Sequence, residues 1–433
     1  MTETAMNQTG ATRAIDWADP ALVQRVARRH RKDRMLRVAG LVALLTACLM
    51  LAILMASLLW SGHSAFTQTH VTLDFEVAAG KVNADKPGKG NYRGIVAEAL
   101  KTRFPEVTSR RDQKALVGIL SNGAQYILRD AVVANPDLIG TTVTLAVPVS
   151  DPYDQLAKGQ IDVDTPEENR RLDDREIAWF HKLEAAGSVS RPLNLALLVN
   201  ADSRFPELAG LSGALWGSFY ALLVCFVISF PVGIAAGIYL EEFAPKNRWT
   251  DLIEVNINNL AAVPSVVFGL LALVAFIGWF GMPRSAPLVG GMTLSLMTLP
   301  TIIIATRIAV KAVPPSIRDA ALGLGASKHQ VVMGHVLPLA VPGILTGTII
   351  GLARALGETA PLLLIGMNAF ITQAPDGIMD SSTALPTQIF IWADSPERGF
   401  VARTSAAICV LLAFLVVMNG FAVYLRKRFE RRW

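Results

Sequence analysis

The sequence is poor in the features that would make a soluble enzyme. Only 17% of its 433 residues are charged, whereas about a quarter are charged in an average soluble domain. It contains no G-x-x-x-x-G-K-[ST] phosphate loop, which excludes P-loop hydrolysis of a nucleotide by this chain. Its six histidines lack metal-ligand spacing, and no nucleophile elbow or paired-cysteine motif occurs. We therefore expect no catalytic residue, metal or cofactor in this chain.

Cysteine is also scarce. Cys48, Cys225 and Cys409 all fall inside strongly apolar segments, so we expect no disulfide in the polar parts of the chain. What the sequence has in abundance is hydrophobic residues, which make up 52% of it. The formal charge of +5 is modest and concentrated near the apolar segments, so it indicates membrane orientation rather than nucleic-acid binding. This composition predicts a polytopic membrane protein in a lipid bilayer.

Uncharged runs long enough to cross a hydrocarbon core of about 30 Å as a helix occur five times. They cover residues 38–60, 213–240, 260–281, 285–306 and 404–425. A sixth run, 339–367, is long enough but carries Arg354 and Glu358 in its middle. Charges at that depth usually face a bundle interior or a water-filled path. The sequence therefore predicts an all-α membrane protein with six transmembrane helices.

Basic residues cluster beyond both ends of this set of spans. They are Arg25, Arg28, Arg29, Arg31, Lys32, Arg34 and Arg37 before the first span, and Arg426, Lys427, Arg428, Arg431 and Arg432 after the last. The positive-inside rule then places both termini, the basic segment 1–37 and the basic tail 426–433, in the cytoplasm. The segment 241–259 should also be cytoplasmic, but it supports this orientation weakly because it has only Lys246 and Arg248 against four acidic residues.

The first two spans are separated by about 150 residues, enough for a domain of their own. Alternating apolar residues at 71–77, 143–147 and 193–199 predict strands. Helical spacing at 92–104, 112–130 and 167–186 predicts helices, with 81–91 as a loop. We predict a small α+β external domain at residues 61–212, inserted after the first transmembrane helix.

A polar loop at residues 314–338 separates two strongly apolar segments. Pro314 and Pro315 end the fourth span, and Ser316 with Asp319 predicts a capping box that starts a short helix. Glycines at 323 and 325 should loosen that helix, and Ser327 should cap a second one that runs to Pro338. The loop would then present a short helix whose small residues let another surface come close. An ordinary re-entry loop is the alternative.

This loop resembles the "EAA" loop of the permeases of binding-protein-dependent ABC importers, in which E-A-A is followed by a glycine and later by Leu-Pro. Asp319, Ala320 and Ala321 stand for E-A-A, with Asp in place of the usual Glu; Gly325 stands for the glycine, and Leu337 with Pro338 for the ending. The resemblance implies that 314–338 is a cytoplasmic coupling loop whose short helix docks in a groove of an ATPase subunit.

Two further stretches, FPVGIAAGIYLEEFAP at 230–245 and ARALGETAPLLL at 353–364, narrow the resemblance to the A-type permeases of the phosphate-specific transport system. It covers residues 213–425, which would form the permease core in a bacterial inner membrane. It implies a heterodimer with a related C-type permease, two ATPase subunits that hold ATP and Mg, and an external phosphate-binding protein. The family's charged pair in the fourth span is absent, because Ile304 and Arg307 occupy those positions; we expect Arg307 to reach to the membrane interface.

Arg354 and Glu358 are four residues apart and should share one helix face. They could line the substrate pathway, where Arg354 would attract an anion and Glu358 would accept a hydrogen bond from protonated phosphate. They could instead form an ion pair that holds a gate closed. Five glycines at four-residue spacing predict close helix packing, within the chain or with a partner permease. They are Gly233, Gly237, Gly343, Gly347 and Gly351.

Two other functions remain open from the sequence. A permease for another oxyanion or small polar solute would keep the loop and change the pathway. A membrane-tethered sensor would use its external domain to bind a ligand and its spans to signal. The docking-type loop and the charges within a span favour transport.

Overall fold

The computed structural model describes residues 20–429. The chain divides into two units, Met1–Leu58 and Leu59–Trp433. The described part of the first unit is a long helix, α1 (Pro20–Gly62), whose last residues belong to the second unit. Residues 1–19 of the predicted basic segment and the end of the predicted basic tail, with Arg431 and Arg432, lie outside the described residues.

An α+β region follows α1 within the second unit. Its strands form one antiparallel sheet in the order β2-β1-β3, with β1 at the centre. The strands are β1 (His70–Glu76), β2 (Thr142–Pro148) and β3 (Val189–Ser190). The helices are α2 (Tyr92–Arg103), α3 (Arg110–Val117), α4 (Ala124–Ala134), α5 (Asp151–Ala157), α6 (Asp174–Ala185) and α7 (Ala196–Val199).

The core of this region lies on one face of the sheet. Val71, Leu73 and Phe75 alternate with exposed residues along β1 and are buried against the helices. Each such side chain contributes roughly 1.5–3 kcal/mol by leaving water. The period-two pattern at 71–77 and 143–147 therefore predicted two strands correctly.

The predicted strand at 193–199 is wrong. Leu197 is fully buried, while Leu193, Leu195 and Val199 are exposed, so these four residues do not share one buried face, and residues 196–199 form the short helix α7. The side chain of Asn194 explains the difference, because its Oδ1 accepts a hydrogen bond from the Leu197 backbone N–H at 3.3 Å. Local bonds of this kind compete with strand formation. The predicted helix at 112–130 is also two helices, α3 and α4, with a turn between them.

The rest of the second unit is helical. Its helices are α8 (Ser212–Ile238), α9 (Arg248–Ala262), α10 (Ser265–Ala272), α11 (Pro287–Lys311), α12 (Pro315–Gly323), α13 (Lys328–Val331), α14 (Leu337–Gly357), α15 (Ala360–Leu364), α16 (Leu385–Ala393) and α17 (Gly399–Phe429). Three π-helical segments extend α8, extend α10 and join α13 to α14; they are Tyr239–Phe243, Leu273–Trp279 and Val332–Val336.

Within residues 20–429, five helices are long and apolar enough to cross a membrane, or six if one bent pair counts as a span. The bent pair consists of Arg248–Ala262 and Ser265–Trp279, which meet at an angle of 99°. The predicted span 260–281 is therefore not one unbroken helix, because it starts inside α9 and crosses this bend. Proline at 264 restricts Val263 to an extended conformation, with ψ 133°, and this ends α9.

Helix α11 packs between α8 and α14, and the five predicted glycines lie at these contacts. A Cβ on Gly233 or Gly237 of α8 would overlap Ile302 or Thr306 of α11. The glycines of α14 face α11 in the same way, with Gly343 against Ala309, Gly347 against Ala305 and Gly351 against Thr298. Absence of a side chain brings the helix backbones close together, which strengthens packing in a membrane. All five contacts are made within this chain.

The α+β region is joined to the helical part by buried polar contacts. Glu207 accepts a hydrogen bond from the Ser121 hydroxyl at 2.7 Å, and its backbone carbonyl accepts one from Gln68. Burial raises the pKa of Glu207. Arg403, near the start of α17, donates to the Ala209 carbonyl at 2.6 Å, and the Trp392 indole donates to Asp202 at 3.0 Å. The bonds of Arg403 and Trp392 hold the region against the ends of α17 and α16.

Candidate functional site

The predicted coupling loop begins with the nine-residue helix α12. Pro314 precedes it and Pro315 occupies its first position, where the missing N–H costs nothing. No side chain caps this helix, so the predicted capping box of Ser316 and Asp319 is wrong. At its other end the Ala326 N–H donates to the Ala321 carbonyl, and the Gly325 N–H donates to the Leu322 carbonyl. This is a Schellman motif, and Gly325 supplies its left-handed residue with φ +83°.

The second half of the loop starts at Ser327, as predicted. The Ser327 hydroxyl accepts from the Gln330 N–H, and the Gln330 side chain accepts from the Ser327 N–H at 2.8 Å, which completes a capping box. The helix does not end at Pro338, however. It passes through the π-helical segment into α14, so Leu337 and Pro338 are the first residues of α14. The second half of the loop and the membrane helix are thus one continuous element from Lys328 to Gly357.

The three residues that stand for E-A-A differ in exposure: one packs against the helical bundle and two face outward. Ala321 is buried in a cluster with residues of α11 and α14, and this packing fixes α12 against the bundle. Asp319 and Ala320 are exposed. Leu322 is 50% exposed and Leu324 is 91% exposed, at the tip of the turn. The loop therefore presents an acidic side chain and two leucines outward.

Arg318 ties α12 to two membrane helices, and sequence reasoning missed it. Its guanidinium donates to Glu242, beyond the end of α8, from Nε at 3.0 Å and Nη2 at 2.8 Å. It also donates to the carbonyls of Val310 and Val313, at the end of α11 and just after it, at 2.9 and 2.6 Å. The Glu242 side chain is only 10% exposed, so this is a charge-assisted contact shielded from water.

Arg307, like Arg318, forms ion pairs with acidic residues that follow α8. It does not reach outward to an interface, as we predicted, but pairs with Glu241 at 3.3 Å and with Glu254 of α9 at 2.7 Å. One signal for both contacts was present in the sequence. The stretch 241–254 carries more acid than base, which indicates basic partners elsewhere in the chain.

Arg354 and Glu358 are adjacent, with Nε and Oε1 3.6 Å apart. They do not share a helix face, because α14 ends at Gly357 and Glu358 has an extended backbone, with ψ 121°. The cause is Pro361, whose ring would clash with the Gly357 carbonyl in a continuing helix. The Glu358 side chain is 19% exposed and that of Arg354 is 55% exposed. The guanidinium is thus more exposed than the carboxylate beside it.

Residues 229–431 match the family described as binding-protein-dependent transport system inner membrane component, and residues 23–167 match a domain of unknown function, DUF3333. The helical fold with its presented loop and the first of these matches define the class as an ABC importer permease. The chain belongs to the PstA family of phosphate transport system permease proteins, with several members at least 30% identical over more than two thirds of their length.

Individual relatives give the extent of this similarity. PstA 1 of Mycobacterium tuberculosis is 30% identical over 224 residues, which are 52% of this chain and 72% of that protein. PstA of Yersinia pestis is 33% identical over 49% of this chain and 71% of its own length. The probable ABC transporter permease YqgI of Bacillus subtilis is 33% identical, and the match spans 40% of this chain and 58% of that protein.

Solved structures with similarity to this chain include the MetNI methionine ABC transporter, with 16% identity and a TM-score of 0.39 over 51% of this chain and 94% of that one. A bacterial ABC transporter involved in alginate import has 14% identity and a TM-score of 0.39 over 51% of this chain and 79% of that one.

Proposed function

We propose that this chain is a membrane permease subunit that imports inorganic phosphate and is driven by ATP hydrolysis on separate ATPase subunits. The observation that carries the proposal is the construction of the α12 loop. Its outer surface exposes Asp319, Leu322 and Leu324, and its inner side is fixed to α8 and α11 through Arg318. Family membership supports the substrate, because the related permeases are named for phosphate transport.

The proposed coupling is mechanical. An ATPase subunit with bound ATP and Mg docks on the exposed face of α12. Closure of the ATPase pair moves α12, and Arg318 passes this movement to α8 and α11 because its five-donor fork contacts both. The glycine contacts between α8, α11 and α14 carry the displacement into the bundle. An ordinary re-entry loop would not need two leucines at its exposed tip.

The proposed assembly contains this chain, a related C-type permease, two ATPase subunits and an external phosphate-binding protein. It lies in a bacterial inner membrane, with both termini and residues 314–338 in the cytoplasm and residues 61–212 outside. The acidic stretch 241–254 is less of an obstacle to this orientation than its own charge suggests, because Arg307 and Arg318 form ion pairs with three of its carboxylates.

Arg354 and Glu358 are the proposed pathway residues. The exposed Arg354 guanidinium attracts the anion, and Glu358 accepts a hydrogen bond from the protonated oxygen of phosphate. Sulfate has no such proton at neutral pH, so Glu358 would disfavour it. An ion-pair gate without substrate contact is the competing role, and the following experiment separates the two.

The test is uptake of radiolabelled phosphate by cells from which this chain and other phosphate transporters have been deleted. Wild-type chain should restore uptake, and Arg354→Lys should restore little of it, since lysine loses the planar fork. Arg398→Lys, at an exposed arginine just before α17, is the matched control and should act as wild type. In Glu358→Gln cells, excess sulfate should inhibit phosphate uptake more than in wild type. Full uptake by Arg354→Lys, with unchanged sulfate selectivity in Glu358→Gln, would favour the gate.

A further inference from the structure

The α+β region contains an open cleft of about 730 Å³ that none of the transport roles uses. It is lined by residues of α2 and α3, together with Ser121, Asp151 and the loop around Glu207. Glu397, just before α17, also lines it, so the cleft borders the helical part of the chain. The matched domain family for this part of the chain has no known function.

Two helices place basic side chains along the cleft. Arg93 and Lys101 of α2 are eight residues apart on one helix face, and Arg110 and Lys114 of α3 are four apart. All four are exposed. Like charges at four-residue spacing destabilise a helix, so an anion close to Arg110 and Lys114 would relieve their mutual repulsion on α3.

These four cations differ from most other basic residues of the region. Lys81, Arg129, Lys158, Arg170, Arg175, Lys182 and Arg191 each pair with a carboxylate. Within residues 20–429, Arg93, Lys101, Arg110 and Lys114 form no such pair. Among the same residues, no carboxylate oxygen lies within 4.0 Å of their charged nitrogens, and the observed ion pairs of this region all involve other basic residues.

The remaining charges of the cleft are already engaged. Arg171 bridges Asp151 at 3.3 Å and Glu397 at 3.0 Å. Arg204 stacks over the ring of Phe370, with 5.5 Å from Cζ to the ring centroid. Glu207 accepts its hydrogen bond from Ser121. The charge available to a ligand is therefore positive and comes from α2 and α3.

We propose that this cleft binds a polyanion with several phosphate groups in a row, such as a short inorganic polyphosphate. The row on α2 extends over about 12 Å from Arg93 to Lys101, at about 1.5 Å per residue. A single orthophosphate cannot match the charge of all four exposed cations, whereas a chain of linked phosphates can do so and can lie along α2 and α3. The arginine forks match phosphate oxygens bidentately, and the flexible lysine stems let their ammonium groups adjust to neighbouring phosphates.

The test uses the full chain in lipid nanodiscs and measures binding of tripolyphosphate and of orthophosphate by calorimetry. Tripolyphosphate should bind about tenfold more tightly than orthophosphate, and its binding should weaken as salt is raised. A triple variant, Arg93→Ala with Lys101→Ala and Lys114→Ala, should lose about tenfold in affinity. The control, Lys86→Ala with Lys89→Ala and Arg103→Ala, removes three exposed charges of the same region outside the cleft and should bind as wild type.

Thermal unfolding of each variant checks that the region is folded; if the triple variant unfolds, the double variant Lys101→Gln with Lys114→Gln replaces it. Equal binding by cleft and control variants would overturn the proposal, as would equal affinity for orthophosphate and tripolyphosphate. Binding of polyglutamate as tight as that of tripolyphosphate, with the same dependence on the cleft residues, would also overturn it and indicate an acidic protein surface as the ligand. None of these measurements depends on transport.

Discussion

Arg318 is the residue on which the proposed coupling depends most. We predict that Arg318→Gln uncouples the transporter, because glutamine cannot reach Glu242 and the carbonyls of Val310 and Val313 together. The loss leaves Glu242 without its partner in a shielded position, which should cost about 1–3 kcal/mol. The ratio of phosphate transported to ATP hydrolysed, measured in reconstituted vesicles, should fall roughly tenfold or more.

Lys311→Gln is the matched control for this variant. Lys311 lies in the last turn of α11, close in sequence to the Arg318 contacts, and is exposed. It should keep the wild-type ratio of phosphate to ATP. A normal ratio in Arg318→Gln, with the complex assembled, would show that α12 acts without this link.

Gly325 requires glycine for a conformational reason. The sequence suggests that its missing side chain lets another surface approach, but the structure shows φ +83° and open space where a Cβ would lie. Gly325→Ala should therefore strain the Schellman turn by about 1–2 kcal/mol and lower stimulated ATPase activity. Gly323→Ala is the control, since residue 323 ends α12 with open space around it and should tolerate alanine. Equal activity of the two variants in an ATPase assay would argue against a geometric role for the turn.

At the level of elements, α11 is the centre of the helical part. Gly347→Leu would force a side chain into Ala305 of α11, and overpacking of this kind typically costs about 1–3 kcal/mol. We predict a lower unfolding temperature in detergent and less chain in the membrane. Gly420→Leu, at a glycine of α17 with open space around it, is the control and should change neither quantity. Wild-type stability of Gly347→Leu would mean that α11 and α14 can separate without cost.

The helices and strands that could be predicted from the sequence are those whose signal lies in neighbouring residues. Long apolar runs indicated the membrane helices, and the alternation at 71–77 indicated β1, because hydropathy and period are properties of neighbouring residues. The bend at Pro264 was missed because the apolar run continues across it, although the proline itself is a visible signal. The end of α14 before Glu358 was missed for the same reason, with Pro361 as the overlooked cause.

The candidate site was only partly predictable. The positions of the E-A-A resemblance and the Ser327 cap could be read from spacing, because both are local. The bonds from Arg318 to Glu242 join residues 76 positions apart, so they depend on how α8, α11 and α12 pack. No local pattern specifies such a pair, and the excess of acid at 241–254 indicates only that partners exist.

At the level of the whole molecule, the proposed orientation has a direct test. Cysteine introduced at Ala186, after α6, and at His329, in α13, should react with an impermeant thiol reagent from opposite sides of the membrane. Both positions are exposed, and neither side chain caps an element. The new cysteines are introduced into a chain in which Cys48, Cys225 and Cys409 have been replaced. Each variant must retain phosphate uptake. Labelling of both positions from one side would refute the six-span arrangement.

The most direct test of the central claim is ATP-driven phosphate accumulation by the purified complex. The chain is isolated with its associated subunits and reconstituted into vesicles, and the external binding protein is added on the side that holds the α+β region. The account predicts that radiolabelled phosphate accumulates only when ATP and Mg are present on the side of α12, and that excess sulfate does not compete. Accumulation without ATP, or ATP-driven accumulation of another solute with phosphate excluded, would contradict it.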